Sequence, residues 1–245
     1  MLSAQAALGV VLALSFAGFM QGLTGFGFGL AAVALLPLLV GLKDAQVVIS
    51  LLNAAVCATI FLATWRHFRW RDGRGLVIGA GIGVPIGFWT LTCLPESLLL
   101  RALGLLLCVF SLGQLCRGRR GSIRIPSALG LPFGFFSGYL GGALNVGGPP
   151  AIAYAYSQPW SKEQAVSLLQ VVFGVSALLR LTLFVSSNLI RPEHLRVSLL
   201  TLAPMLAATW CGKGLLERVP REKLKIGVFV FLLVMGVKYL FFTSR

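Results

Sequence analysis

Long apolar runs alternate along the chain with short polar or charged breaks, and the runs dictate the architecture. They lie near 4–21, 28–41, 45–65, 75–94 and 97–116, then 127–144, 148–158, 164–186, 197–214 and 224–242. A helix rising about 1.5 Å per residue needs about 20 apolar residues to cross some 30 Å of hydrocarbon. Most of the runs therefore predict transmembrane helices. The second run of each set is too short to cross comfortably and starts in a glycine-rich break, which predicts a short broken or re-entrant helix. The expected fold is an all-α integral membrane protein of two repeats, each of about five segments.

An odd number of crossings in the first half turns the second half upside down, so the repeats are expected to have inverted topology. Sequence echoes agree with this. VISLLN at 48–53 resembles AVSLLQ at 165–170, and each follows a charged pair, Lys43-Asp44 or Lys162-Glu163. Pro85 matches Pro204, Gly104 matches Gly227, and Gly113 matches Gly236. The expected organisation is a first repeat over 1–116, a basic cytoplasmic linker RGRRGSIRIP over 117–126, and a second repeat over 127–245. Gly79, Gly83 and Gly87 recur every fourth residue and predict a smooth helix face for close packing.

Composition excludes a soluble domain. Hydrophobic residues make up 57% of the chain and charged residues 11%, with a mean hydropathy of +0.89, where soluble domains carry roughly 25% charged residues. The net charge of +14 would suggest nucleic acid in a soluble protein, but here the basic residues fall in loops and report topology instead. With the N-terminus outside and all ten segments changing sides, the inner loops hold 14 of the 21 basic residues and the outer regions 6, leaving Arg180 within a span. Both termini are thus expected outside a multi-pass cell (inner or plasma) membrane, with the lipid bilayer as partner. A homo-oligomer is compatible with the sequence and not specified by it.

The first twenty residues lack the basic start of a secretory signal and are read as the first membrane helix. The five cysteines are scattered through apolar stretches without a C-x-x-C pair, and are expected to be small buried residues. No metal and no cofactor is expected. His67 and His194 lie in loops beside charges and are expected at the interface, without a partner for acid–base work.

The two breaks carry the candidate chemistry. The first reads QGLTGFGFG over Gln21–Gly29 and the second SGYLGGALNVGGPP over Ser137–Pro150. Backbone polar groups released at membrane depth must find protein, water or ligand, because lipid offers none. Each break ends at a helix start, which carries roughly half a positive charge and free N–H donors. Two such starts facing one another would make an anion site at mid-membrane. The expected substrate-binding set is Thr24, Gly25, Phe26, Gly27, Phe28, Gly29, Asn53, Asn145, Gly147, Gly148, Pro149, Gln170 and Arg180. Asn53 and Gln170, like Ser50 and Ser167, either supply neutral hydrogen bonds to the anion or join helices together. Arg180 either faces the site or snorkels to the interface.

Every carboxylate falls in a loop or at a segment end, unlike the path of a cation carrier or proton pump. A Rossmann turn is excluded because no strand precedes the glycines, and no nucleophile with a base is visible in the spans. The chain is therefore not expected to be an enzyme.

The stretch from Gly18 to Gly29 followed by LAAVALLPLL, with its counterpart GFFSGYLGGALNVGGPPAIAYAY, resembles the sulfite exporter TauE/SafE family over about Leu8 to Leu240. Gly22, Gly25, Gly27 and Gly29 match that family's first motif. Gly138, Gly141, Gly147 and Gly148 with Pro149 match the second. Phe26 and Phe28 stand where the family often shows more glycine. The resemblance implies a secondary transporter exporting a small sulfur-containing anion, such as sulfite or an organosulfonate, by alternating access. The alternatives are an anion channel and an importer of a related oxyanion.

Overall fold

In a computed structural model, residues 4–24, 27–116, 125–216 and 221–242 are described. Ten α-helices follow one another among them, without a strand: α1 (Ala4–Thr24), α2 (Phe28–Leu35), α3 (Leu42–Thr64), α4 (Trp70–Cys93), α5 (Glu96–Cys116), α6 (Gly130–Leu144), α7 (Gly148–Ala155), α8 (Lys162–Ser186), α9 (Pro192–Leu216) and α10 (Arg221–Phe241). The all-α membrane architecture is as expected, including the short second and seventh helices. Among the described residues, α3, α4, α5, α8 and α9 each contain a segment long and apolar enough to cross a membrane, and apolar segments of 10–17 residues lie in α1, α2 with its 3-10 extension, and α10. Leu62, Leu199 and Leu200 are about 70% exposed (71%, 71% and 69%). Water does not tolerate such an apolar belt, whereas lipid does.

Two compact units form by contact, and each draws helices from both ends of the chain. Unit one comprises Met1–Val48, Leu94–Arg120 and Arg191–Arg245, so it contains α1, α2, α5, α9 and α10. Here α1 packs on α9 and α5 on α10, while α2 lies against α1 and α10. Gly18 faces the backbone of Met205, Gly22 faces that of Thr209, and Gly212 faces that of Phe19, so a side chain at any of the three would drive the helices apart. Gly104 and Gly236 meet where α5 and α10 cross. The Tyr239 hydroxyl donates to the Ala34 carbonyl at 3.0 Å, which holds the end of α2 to α10.

Unit two comprises Ile49–Cys93 and Gly121–Ile190, so it holds most of α3 together with α4, α6, α7 and α8. Its principal contact is α4 on α6. Gly79, Gly83 and Gly87 face the backbone of α6 at Leu131–Phe135, Phe135–Tyr139 and Tyr139–Ala143, and Gly134, Gly138 and Gly142 face Leu76, Ala80 and Val84 in return. The spacing of four on both helices keeps one bare strip on each face, as the sequence predicted for α4. A Ser161–Gln164 capping box starts α8, with bonds of 3.2 and 3.0 Å. Tyr154 Oη and Gln158 Nε2 donate to the Ser127 and Ile125 carbonyls, tying the far end of α7 to the approach to α6.

The basic stretch Arg117–Arg124 lies outside the described residues, as do Arg218 and the side chains of Arg221, Lys223 and Lys225, all of which the sequence assigned to inner loops. Trp65 with Arg66 at the end of α3, and Trp210 with Lys213 near that of α9, form cation–π pairs at 5.8 and 5.6 Å. Such pairs suit a membrane–water boundary.

Candidate functional site

In unit one, α1 ends at Thr24 and α2 begins at Phe28. Gly27 caps α2 with φ 119°, a left-handed backbone that glycine adopts without penalty. The Phe28 N–H donates to Gln21 Oε1 at 2.8 Å, so a side chain of α1 already occupies the first amide of α2. Phe28 itself is buried. Gly25 and Phe26 lie outside the described residues, as does the side chain of Thr24.

The second break, in unit two, has a different construction. Asn145 ends α6 in the left-handed conformation, φ 60°, which asparagine tolerates better than most residues. Its N–H donates to the Gly141 carbonyl at 3.0 Å, and the Val146 N–H reaches Leu140 at 3.2 Å, closing the end of the helix. Gly147 then caps α7, and Gly148, Pro149 and Pro150 form the first turn. Two prolines remove two of the amide hydrogens that a helix start normally offers. Gly147 fits because a Cβ there would meet the Ser137 carbonyl at 2.5 Å, and Ser137 Oγ donates to the Gly147 carbonyl at 2.6 Å.

Arg180 comes from α8 into this break. It is 1% exposed, so it does not snorkel, and its Nη1 donates to the Gly141 carbonyl at 2.6 Å. Its guanidinium and the Asn145 amide thus converge on one carbonyl in the last turn of α6, where the helix dipole is negative. Arg180 Nε and Asn145 Nδ2 are both buried with no hydrogen-bond partner among the described residues. No carboxylate pairs with Arg180 there either. Cys57 lies within electrostatic reach of Arg180, and its thiol sits 3.8 Å from Asn53 Oδ1 one turn earlier on α3. A buried cation held by one carbonyl, with further N–H donors unused, leaves hydrogen-bonding capacity that a ligand could take up.

Of the expected set, Asn145, Gly147, Gly148, Pro149 and Arg180 surround the second break, and Asn53 lies on α3 in the same unit. Gln170 lies ten residues before Arg180 on α8, buried, with Oε1 unpartnered. The Gly27–Gly29 segment belongs to unit one. Gln21 and Ser137 were missed, although both are polar residues inside the glycine-rich stretches and so carried a signal. His194 departs from the expectation of an unpartnered interfacial residue: it is 7% exposed and contacts Asp44. The cysteines divide between Cys57 and Cys108, which are buried, and Cys93, Cys116 and Cys211, which are exposed on apolar helices. The expectation of five buried cysteines therefore fails for three, because an apolar residue facing lipid needs no burial in protein.

The profile of the family described as Sulfite exporter TauE/SafE matches residues 10–239, nearly the whole chain. The chain belongs to the sulfite exporter TauE/SafE family. It is accordingly a multi-pass membrane protein of a transporter family, in keeping with its long apolar helices. No curated protein and no solved structure gives a significant match.

Proposed function

We propose that this TauE/SafE chain is a secondary transporter that exports sulfite or a small organosulfonate, and that Arg180 is the fixed cation against which the anion binds. The observation carrying this reading is the buried guanidinium with a spare Nε–H beside the spare Nδ2–H of Asn145. Sulfite and sulfonate present three acceptor oxygens on one charged centre, and charge-assisted bonds to guanidinium are the strong class. An entering anion would neutralise a charge that otherwise stays buried alone. Gly147, Gly148 and Pro149 let it approach the start of α7, and the dipole of that helix adds attraction.

The first break contributes differently. Its leading amide is satisfied by Gln21, so the α2 start has that amide to offer a ligand only if Gln21 swings away. The two halves act as inverted repeats, both termini lie outside, and transport proceeds by alternating access. Anion export from a negative interior is downhill by about 2.3 kcal/mol per charge per 100 mV, so no coupling ion is needed for efflux.

The test is flux into or out of proteoliposomes with sulfite, thiosulfate, sulfoacetate and chloride, varying membrane potential and pH gradient separately. Saturable movement of sulfite or a sulfonate, abolished in Arg180→Met and reduced in Asn145→Ala, is the expected result. Equal, unsaturable flux of all four anions would identify a channel instead. Wild-type saturation in both variants would remove Arg180 and Asn145 from the site.

A further inference from the structure

A second polar cluster lies in unit one, where the chain crosses between units. Three of the four crossings fall at Val48/Ile49, Cys93/Leu94 and Ile190/Arg191, and Asp44, Glu96 and His194 each stand within four residues of one. Glu96 Oε1 accepts the Leu42 N–H that opens α3, at 2.6 Å. The Arg191 N–H donates to His194 Nδ1 at 3.1 Å, and His194 Nε2 lies 3.2 Å from Asp44 Oδ1. A backbone amide can only donate, so Nδ1 is the bare nitrogen and Nε2 carries the hydrogen that points to Asp44. The ring is buried, yet the Asp44 side chain is 45% exposed and opens into a cavity of about 310 Å³.

We propose that the His194–Asp44 pair is a proton-binding site whose occupancy releases the Arg191 amide before α9 at this crossing. A proton added to Nδ1 turns the acceptor of the Arg191 bond into a donor, and two N–H groups cannot share that bond. The same proton makes an imidazolium whose bond to Asp44 is charge-assisted. One bond is exchanged for a stronger one, and the Arg191 N–H is released, leaving the His194 N–H to the Arg191 carbonyl as the remaining bond of that turn. The charged groups lining the cavity with the ring are of both signs. Asp44 and Glu193 favour the cation, whereas Arg191 and the positive start of α9 oppose it, and Lys43 adjoins Asp44 in the chain. Glu96 on α5 is engaged with Leu42, Arg196 lies two residues beyond His194 along α9, and Val10, Leu36, Leu39 and Val40 give the cavity apolar walls from α1 and from the segment after α2.

Hydrogen exchange on the purified full-length protein in lipid nanodiscs tests this without any substrate. Exchange is read at residues 187–194 at pH 5.5 and 7.5 and normalised to intrinsic chemical rates. Protection of the Arg191 amide should fall about tenfold at the acid pH, the loss of roughly one hydrogen bond. In His194→Asn the side-chain oxygen can still accept from Arg191 but cannot titrate in this range, so protection should become independent of pH. Unchanged protection in the wild type, which needs no variant to fold, would overturn the proposal, as would a wild-type pH response in His194→Asn. Flux across the same pH range separates this site from the transporter reading on which its functional role rests. A pH-responsive Arg191 amide without transport of any anion would sink that reading and leave the proton site standing.

Discussion

An arginine that is 1% exposed and bonded to a single carbonyl keeps its charge because guanidinium gives up its proton very reluctantly and the negative end of α6 faces it. Removing a buried, unpaired charge relieves desolvation that in proteins amounts to several kcal/mol per ion. Arg180→Met, close in volume, should therefore leave the melting temperature of the detergent-solubilised protein unchanged or raised while transport disappears. A lowered melting temperature would mean that Arg180 serves folding. Gly27 gives the opposite case, because its left-handed φ of 119° sits at the start of α2. Gly27→Ala should lower stability by about 1–2 kcal/mol, measured as a drop in melting temperature. What the sequence left open at this scale was direction and partner. An arginine within a span was plain to read, but its turn inward depends on the Gly141 carbonyl, which the chain reaches 39 residues away. His194 and Asp44 are 150 residues apart, and no local pattern announces such a pair.

Between elements the dominant feature is backbone contact through glycine. With no hydrophobic drive between helices in lipid, close packing and small residues have to hold α4 to α6 and α1 to α9. Gly83→Leu would press on the carbonyl of Phe135 and the amide of Tyr139, both backbone and unable to give way. Overpacking of this kind should cost about 1–3 kcal/mol, read as a lower melting temperature, whereas Gly81→Ala, facing open space, should be tolerated. Helix ends were readable to within a few residues, because apolar runs and glycine breaks obey the same bilayer constraint that shapes the fold. The misses have causes. The first turn of α4 carries Arg71 and Arg74, and α9 starts at Pro192 with Glu193, so both helices extend past their apolar cores into polar surroundings. Hydropathy sees only the core, although proline and an acid at a helix start were a usable sign.

Across the whole molecule, each compact unit takes helices from both sides of the basic linker. Neither half of the sequence contains the partner its first helix packs on. A chain cut within 117–126 should therefore yield two fragments that are degraded when expressed singly but recovered together as a transport-competent pair. Independent accumulation of either fragment would show that the cross-packing is dispensable. Charge and apolar surface were readable at this scale because both answer to the bilayer, while the interleaving was not, since it depends on which glycine strips face one another.

The same cross-packing gives synthesis an unequal timetable. As the chain leaves the ribosome, α6 meets an α4 that has already been inserted, but α1 must wait in the lipid until α9 has been made. During that interval its bare glycine face at Gly18 and Gly22 is open to insertion factors and proteases. A helix made well before its packing partner is thus among the last to find its place.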